Sequence, residues 1–213
     1  MKKKLIILLI FSIIIVLGLS GVIYFLYNGG FFFNPGDRYE WSKLDYMDVI
    51  YENRSDIRAW NQAYSETEDC PWGFIHNGLD FAFRNESNVI AAAPGQVQEI
   101  EKHDYEGPNK YHVRIWIRFN RQIRLGYNFE PWTDKESERE KQIEMFQVEI
   151  GEWISQGQVI AKFLECNESA HIHFDVIENH NRYCPSKYFS TEGYVEIMEL
   201  IQSFHPTWQL CYL

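Results

Sequence analysis

The segment His171-Ile172-His173-Phe174-Asp175-Val176 carries the clearest indication of how this chain folds. On a β-strand, alternate side chains point to opposite faces, so His171 and His173 lie on one face about 6.6 Å apart. The apolar residues between and after them then point into a core. One histidine can bind a metal ion while the other stands beside the water bound to that ion. The segment therefore predicts a strand that presents two imidazoles together.

Other stretches also have the pattern of strands. Residues 112–119 alternate apolar side chains with Arg114, Trp116 and Arg118, as expected for a strand with one buried face. Residues 120–122 predict a turn, and residues 123–127 then form the returning strand of a hairpin. Further strands are predicted at 79–83, 89–93, 97–102 and 159–164. The aromatic content of 16% also favours β structure, so we expect a mainly β fold with a compact antiparallel sheet.

Few segments depart from this pattern. Residues 133–146 are strongly charged and predict a helix or a mobile insert between strands. Residues 191–204 place Val195, Met198, Ile201 and Phe204 at roughly helical spacing, which predicts an amphipathic helix covering the sheet. Residues 38–69 are expected to pack on the domain as a lead-in, with some helix, for example at 56–64. Residues 28–37 contain one Gly-Gly pair and one Pro-Gly pair, which predict a linker.

A second possible ligand group lies in His76-Asn77-Gly78-Leu79-Asp80. Imidazole and carboxylate are both good zinc ligands. On a straight strand His76 and Asp80 would be about 13 Å apart, too far to reach one ion. Asn77-Gly78 favours a turn, which can bring His76 back toward Asp80 at the start of the next strand. With His173, the sequence thus offers two histidines and one aspartate, a set that leaves one coordination position open.

The N-terminal segment predicts a membrane anchor. Lys2, Lys3 and Lys4 precede an uncharged run over residues 5–27, which as a helix would span roughly 34 Å. A cleaved signal peptide would have a shorter apolar region of about 7–15 residues and would end in a small-residue cleavage site. The lysines favour the cytoplasmic side, so the rest of the chain is expected outside the cell membrane, after a single pass.

Charge and cysteine content narrow the possible partners. The whole chain carries a formal net charge of −10 and the three leading lysines contribute +3, so the remainder carries −13. Nucleic acid is therefore excluded as a partner, because phosphate contacts need Lys and Arg. Four cysteines in the outer part allow three disulfide pairings, among which the sequence does not choose. None has the spacing of a metal site.

In its motifs the chain resembles the lysostaphin-type zinc peptidases of family M23, which cut cell-wall peptide crosslinks. That family has a His-x-x-x-Asp motif followed by an apolar strand and a Pro-Gly or Asp-Gly turn, matched here by residues 76–82 and 89–97. Its Gly-x-x-Val-x-x-Gly-Gln-x-Ile segment is similar to residues 151–160. Its final His-x-His-Phe-x-Val strand is similar to residues 171–176. The order and spacing agree over roughly residues 71–178.

The resemblance implies a sheet with a groove, of the lysostaphin-like (duplicated hybrid motif) type. It implies that His76, Asp80 and His173 bind Zn²⁺ and that His171 is the catalytic histidine. A further family histidine, in a Tyr-x-His-Leu-like segment, is replaced here by Asn128. An asparagine can donate a hydrogen bond to substrate or oxyanion, but it carries no proton. His103 and His112 are interpreted as surface or strand residues rather than as substitutes.

These observations define four segments: the lysine cluster and anchor at 1–27, the linker and lead-in at 28–70, the zinc peptidase-like β domain at 71–178, and a C-terminal extension at 179–213. They lead to two functional hypotheses. The first is an extracytoplasmic zinc metallopeptidase that hydrolyses cell-wall peptide bonds. The second is a catalytically reduced relative that binds wall peptide or a partner protein. A structural β domain with incidental histidines would require both motifs to be accidental.

Overall fold

A computed structural model describes residues 2–28 and 39–213 of the chain. Helix α1, Lys2–Asn28, contains an apolar stretch, Ile6–Leu26, that is long and apolar enough to cross a membrane. Its side chains from Ile6 to Phe25 are largely exposed. Such exposure is expected of an apolar helix that the sequence predicts to be a membrane anchor. The predicted linker at 28–37 lies outside the described residues, except for the last residue of the helix.

The remaining elements form a mainly β domain, as predicted. In chain order they are β1 Ile57–Gln62, β2 Tyr64–Ser65, β3 Leu79–Phe83, β4 Asn88–Ile90, β5 Gly95–Asp104, β6 Tyr111–Arg118, β7 Ile123–Glu130, α2 Glu136–Glu144, β8 Trp153–Ile154, β9 Val159–Lys162, β10 His171–Glu178, β11 Asn181–Arg182, α3 Thr191–Phe204 and β12 Cys211–Tyr212. Two 3-10 turns lie at Arg54–Asp56 and Pro185–Lys187.

One curled antiparallel sheet organises the domain. Its strand order is β1-β3-β10-β7-β6-β5-β8, with β11 paired to the end of β10. Every pairing in this sheet is antiparallel. Two small sheets accompany it, β4 with β9 and β2 with β12. Strand β10 lies between β3 and β7. The segment with two histidines therefore lies beside β3, about ninety residues earlier in the chain, and β7, about forty residues earlier.

The central hairpin, β6 and β7, forms where its alternation predicts. Val113, Ile115 and Ile117 are fully buried, and the strand returns through a turn at residues 120–122. The side-chain oxygen of Asn120 accepts hydrogen bonds from the backbone N–H groups of Gln122 and Ile123. Such asparagine turns satisfy backbone donors that the strands leave unpaired. However, β7 continues three residues beyond the predicted end, to Glu130.

The two helices of the β domain confirm the predictions for residues 133–146 and 191–204. Helix α2 lies against β6, with Arg139 and Gln142 buried. Helix α3 begins at the predicted residue, and the hydroxyl of its N-cap Ser190 accepts a hydrogen bond from the N–H of Gly193. This cap satisfies one of the N–H groups that a helix start leaves free.

The possible helix at residues 56–64 is wrong. This stretch forms strand β1, which pairs with β3 at the edge of the main sheet, followed by the short strand β2. Trp60 points into the core, where its ring packs edge-on against Phe81 at a centroid distance of 4.7 Å. Residues before β1 also enter the core, among them Met47 and Ile50, so the lead-in packs on the domain.

The structure assigns the disulfide that the sequence leaves open. Cys184 and Cys211 are bonded, with their Cα atoms 5.8 Å apart, and Cys70 and Cys166 are free. The bond closes a loop between residues 27 positions apart and fixes the C-terminal strand β12, which pairs with β2.

Candidate metal centre

His76 is placed by a short backbone pairing and a bend. Its N–H donates to the carbonyl of Ser65 at 3.1 Å, and the N–H of Ser65 donates to the carbonyl of His76 at 2.7 Å. The chain then bends at Gly78 and enters β3, whose second residue is Asp80. The change of direction expected at Asn77-Gly78 is therefore present, and it returns the imidazole of His76 toward the carboxylate of Asp80.

His173 reaches the same place from the neighbouring strand. It lies directly opposite Asp80 in the β3–β10 pairing, and its Nδ1 is 2.9 Å from Oδ1 of Asp80. The Nε2 of His76 is 3.1 Å from the Nδ1 of His173 and 3.3 Å from Oδ1 of Asp80. His76 and Asp80, four residues apart, and the distant His173 thus present one ligand atom each to one small volume. In the described part of the chain they form a group able to hold one ion.

The donor set fits zinc. Four ligands at about 2.0–2.1 Å in a tetrahedron lie about 3.3 Å from one another, close to the separations found here. The Nδ1 of His76 is 2.8 Å from the carbonyl of Ala63, which leaves Nε2 free to accept, and such backbone contacts commonly fix the orientation of metal-binding histidines. Three acceptor atoms pointing at one volume repel each other unless a proton or a cation lies between them.

The charges at the site favour a cation. Burial raises the pKa of Asp80, but the neighbouring His171 and hydrogen bonds from His173 and His76 outweigh it and hold this pKa well below its usual range. Burial lowers the pKa of His76, whereas its hydrogen bond to Asp80 and the charge of that carboxylate raise it, and the net shift is upward. The site thus contains an ionised carboxylate, and protons compete with a metal ion for the imidazoles.

His171 stands next to the three ligands without joining them. Its Nδ1 is 2.9 Å from the carbonyl of Ser169, which directs its Nε2 toward the cavity. That Nε2 lies 3.7 Å from Oδ2 of Asp80 and 3.5 Å from Oε2 of Glu130. Burial lowers the pKa of His171, but the carboxylates of Asp80 and Glu130 raise it by more. The catalytic role of His171 stays a prediction.

Asn128 lies on the same face but deeper. It faces His173 across the β7–β10 pairing and is 3% exposed, and its side chain does not line the cavity. Its Nδ2 donates to Oε1 of Glu130 at 2.6 Å and lies 3.4 Å from the Nδ1 of His112. A contact of Asn128 with substrate or oxyanion stays a prediction.

Sequence reasoning missed Glu130 and Trp132. Both border a cavity of about 490 Å³ that contains the ligand group. Glu130 lies opposite His171 in the β7–β10 pairing, and the ring of Trp132 is 5.8 Å from that of His171. The cavity is lined by Asn61, Gln62, His76, Asp80, Glu130, Trp132, Glu168, Ser169, His171 and His173. The signal for Glu130 was the strand alternation itself, since it follows Asn128 by two residues.

The two remaining candidate histidines differ in their surroundings. His112 lies on β6, 5% exposed, with its Nε2 3.0 Å from the carbonyl of Asn109 and its Nδ1 3.7 Å from Oε1 of Glu130. Burial lowers its pKa. His103 lies on β5, 3.2 Å from Glu101. His112 is thus a buried strand residue behind the cavity, and neither histidine lines it.

No protein-family model matches the chain. No curated protein matches it. Among solved structures it is similar to a zinc-containing peptidase from Vibrio cholerae, with 20% identity over 65% of this chain and 38% of that one and a TM-score of 0.45. It is similar to Helicobacter pylori Csd3, with 16% identity over 77% of this chain and 44% of that one and a TM-score of 0.47.

The catalytic domain of lysostaphin from Staphylococcus simulans is 15% identical over 67% of this chain and 95% of that domain, with a TM-score of 0.38. The chain spans less than half the length of the Vibrio and Helicobacter proteins. At identities of 20% or less, these similarities assign no activity to this chain.

Proposed function

We propose that this chain is a membrane-anchored zinc metallopeptidase that hydrolyses cell-wall peptide bonds outside the membrane. The observation that carries the proposal is the ligand group of His76, Asp80 and His173, whose atoms lie 2.9–3.3 Å apart at the edge of an open cavity. The resemblance of its motifs to the lysostaphin-type peptidases supports the same function.

Each residue then has a definite task. The ligand group would hold zinc, which when bound would supply Lewis acidity at the cavity. The three ligands fix the ion at the cavity and leave one position for solvent or substrate. His171 takes a proton at its Nε2, because its Nδ1 is held by the carbonyl of Ser169. Trp132 lines the cavity beside His171, with the two rings 5.8 Å apart.

The lining supports a peptide rather than a polyanion as substrate. It contains three carboxylates, those of Asp80, Glu130 and Glu168, and neither Lys nor Arg. Such a cavity repels phosphate groups and tolerates amide and ammonium groups. The negative net charge of the chain and the absence of Lys and Arg from the cavity lining also argue against nucleic acid as a partner.

The remainder of the proposal concerns location. Helix α1 would span the membrane once, with the three leading lysines in the cytoplasm and the β domain outside. The disulfide between Cys184 and Cys211 supports this placement, since such bonds persist in oxidising compartments.

Metal analysis of the detergent-solubilised full chain tests the site. Wild type is expected to retain about one zinc per chain after removal of loosely bound metal. His173→Ala should lose this zinc, whereas His171→Ala should keep it. Equal retention by wild type and His173→Ala would show that the metal, if any, binds elsewhere.

Activity is tested on purified crosslinked peptidoglycan. The zinc-loaded chain should release new amine termini, and His171→Ala should release at least a hundredfold fewer, since a positioned acid–base group contributes about 10²–10⁴-fold.

Asn128 favours a second function, because an asparagine in place of a histidine removes a proton carrier. If the fully loaded chain releases no amines but sediments with peptidoglycan, the binding module is the correct function.

A further inference from the structure

We propose that Glu130 is a second catalytic residue of this site, carrying the proton that Asn128 cannot carry. The inference rests on the proposed peptidase function. Glu130 borders the same cavity as the ligand group, and its side chain is only 13% exposed. Its Oε2 lies 3.5 Å from the Nε2 of His171. Both atoms therefore face the space in which the scissile amide would lie.

The register of β7 explains why this residue, rather than Asn128, faces the substrate. Residues 128 and 130 share one face of the strand, and they lie opposite His173 and His171, respectively. Asn128 is buried beneath the cavity, whereas Glu130, nearer the strand end, reaches it. A carboxylate two residues further along the strand thus occupies the accessible position.

The surroundings of Glu130 hold the carboxylate in one orientation. Oε1 accepts a hydrogen bond from Nδ2 of Asn128 at 2.6 Å, and Oε2 accepts one from Nδ2 of Asn109 at 2.7 Å. The Oδ1 atoms of both amides are buried and have no protein partner. Leaving a buried polar atom unpaired lowers stability. Both side-chain amides therefore donate to Glu130 although their own carbonyl oxygens remain unpaired. This arrangement makes Asn128 a positioning residue for the Glu130 carboxylate.

The chemistry balances with two proton carriers. As the oxygen of water bonds to the scissile carbon, one proton of the water passes to Oε2 of Glu130, and the second passes to the Nε2 of His171 when the new carboxyl group ionises. As the C–N bond breaks, Glu130 gives a proton to the leaving nitrogen, and the products are a carboxylate and an amine. The hydrogen bond from Asn109 leaves Oε2 with acceptor capacity toward the cavity.

Kinetics of the zinc-loaded full chain on purified crosslinked peptidoglycan test this role. Glu130→Gln should retain about one zinc per chain and lose at least a hundredfold in kcat with little change in KM. Asn128→Ala should lose less, because it only frees the carboxylate to rotate. Glu99→Gln is the matched control, since Glu99 is an exposed carboxylate on β5 outside the cavity, and it should equal wild type.

Chemical rescue separates catalysis from structure. Glu130→Ala removes the carboxylate, and added formate should restore part of its activity, whereas chloride at equal ionic strength should not. A purely structural role predicts no rescue. A second readout needs no turnover: in the full chain labelled with ¹⁵N-histidine, Glu130→Gln should shift the Nε2 resonance of His171 more than those of His76 and His205.

The outcomes distinguish the two proposals. If wild type cleaves and Glu130→Gln cleaves equally well, the role of Glu130 is overturned while the peptidase stands. If wild type releases no amine when fully loaded, the peptidase is overturned, and the catalytic role of Glu130 with it. An unshifted His171 resonance in Glu130→Gln would show that the two side chains do not meet in solution, and would overturn the inference as well.

Discussion

At the scale of single residues, Gly78 shows how closely the backbone approaches a ligand. A methyl group on its Cα would lie 2.5 Å from Cε1 and Nε2 of His173 and 2.8 Å from the carbonyl oxygen of Phe174. The imidazole would have to tilt, and its Nδ1 would leave the position facing Asp80. A glycine is therefore required between His76 and Asp80 for a packing reason.

We expect Gly78→Ala to impair the metal centre. Zinc retention should fall well below one per chain, and the free energy of unfolding should fall by about 1–3 kcal/mol, as is usual for overpacking. Metal analysis and denaturant unfolding of the full chain in detergent measure both. The control is Asn77→Ala at the exposed neighbouring position. Full zinc occupancy in Gly78→Ala would contradict the close packing described here.

The two free cysteines should differ in reactivity. Burial raises the pKa of Cys70, but hydrogen bonds from the Ser65 hydroxyl and from backbone N–H groups together lower it by more, so the net shift is downward. Burial, together with the hydrogen bond and negative charge of Glu138, raises the pKa of Cys166 to about 12. The thiolate is the reactive form of a cysteine. It forms at a lower pH than usual at Cys70 and at a much higher pH than usual at Cys166.

Iodoacetamide at pH 8 should therefore modify Cys70 first and leave Cys166 unmodified until the chain is unfolded. Peptide mass spectrometry after timed quenching gives both rates. Modification of Cys70 should begin at a lower pH than that of an unperturbed cysteine thiol. Faster modification of Cys166 than of Cys70 in the folded chain would mean that the local environments are assigned incorrectly.

At the scale of elements, local patterns were predictable and distant pairings were not. Helix α3 has the predicted bounds, because its start depends on the cap at Ser190 and its apolar repeat is local. Its buried face is only partly as predicted: Ile197, Leu200 and Ile201 are buried, but Val195 is 50% exposed. Which side of a helix is covered depends on the neighbours that the fold supplies.

Strand β1 illustrates the opposite case. The burial pattern of its residues is that of neither an ideal strand nor a helix. The strand forms because β3, about twenty residues further along the chain, provides its hydrogen-bond partners. Glu130 was missed for the same kind of reason. Residues 128–130 continue the alternation of apolar and polar side chains, but the predicted strand ends at residue 127, and β7 extends to Glu130 because β10 pairs with it along its whole length. The ligands, by contrast, lie in motifs whose spacing the sequence displays.

Trp60 allows the contribution of β1 to be measured. It is 2% exposed, and its ring packs on Phe81, while its Nε1 has no protein partner. Trp60→Ala should lower the free energy of unfolding by about 3–5 kcal/mol. Trp60→Phe should cost much less, because it keeps an aromatic ring in place and removes the unpaired donor. Denaturant titrations compare the two. Equal losses would mean that ring packing is not what holds β1 to the sheet.

At the scale of the whole molecule, the order of strands determines whether a site exists. The sheet places β10 between β3 and β7, so that one strand brings His173 to Asp80 and His171 to Glu130. No local feature of the sequence specifies this order. The resemblance of motifs implied which side chains meet, but the neighbours that surround them follow from the topology.

The orientation of the whole chain relative to the membrane is the final prediction. The lysines at the start of α1 favour the cytoplasmic side, which leaves the β domain outside. Cys70 offers a reporter, because it is partly exposed and its pKa is lowered. In intact cells that make the full chain, a membrane-impermeant maleimide should label Cys70 as rapidly as after permeabilisation. Cys70→Ser should lose the rapid labelling, which identifies the site. Labelling that requires permeabilisation would place the domain in the cytoplasm, where glutathione would also keep Cys184 and Cys211 reduced and where cell-wall peptides are out of reach.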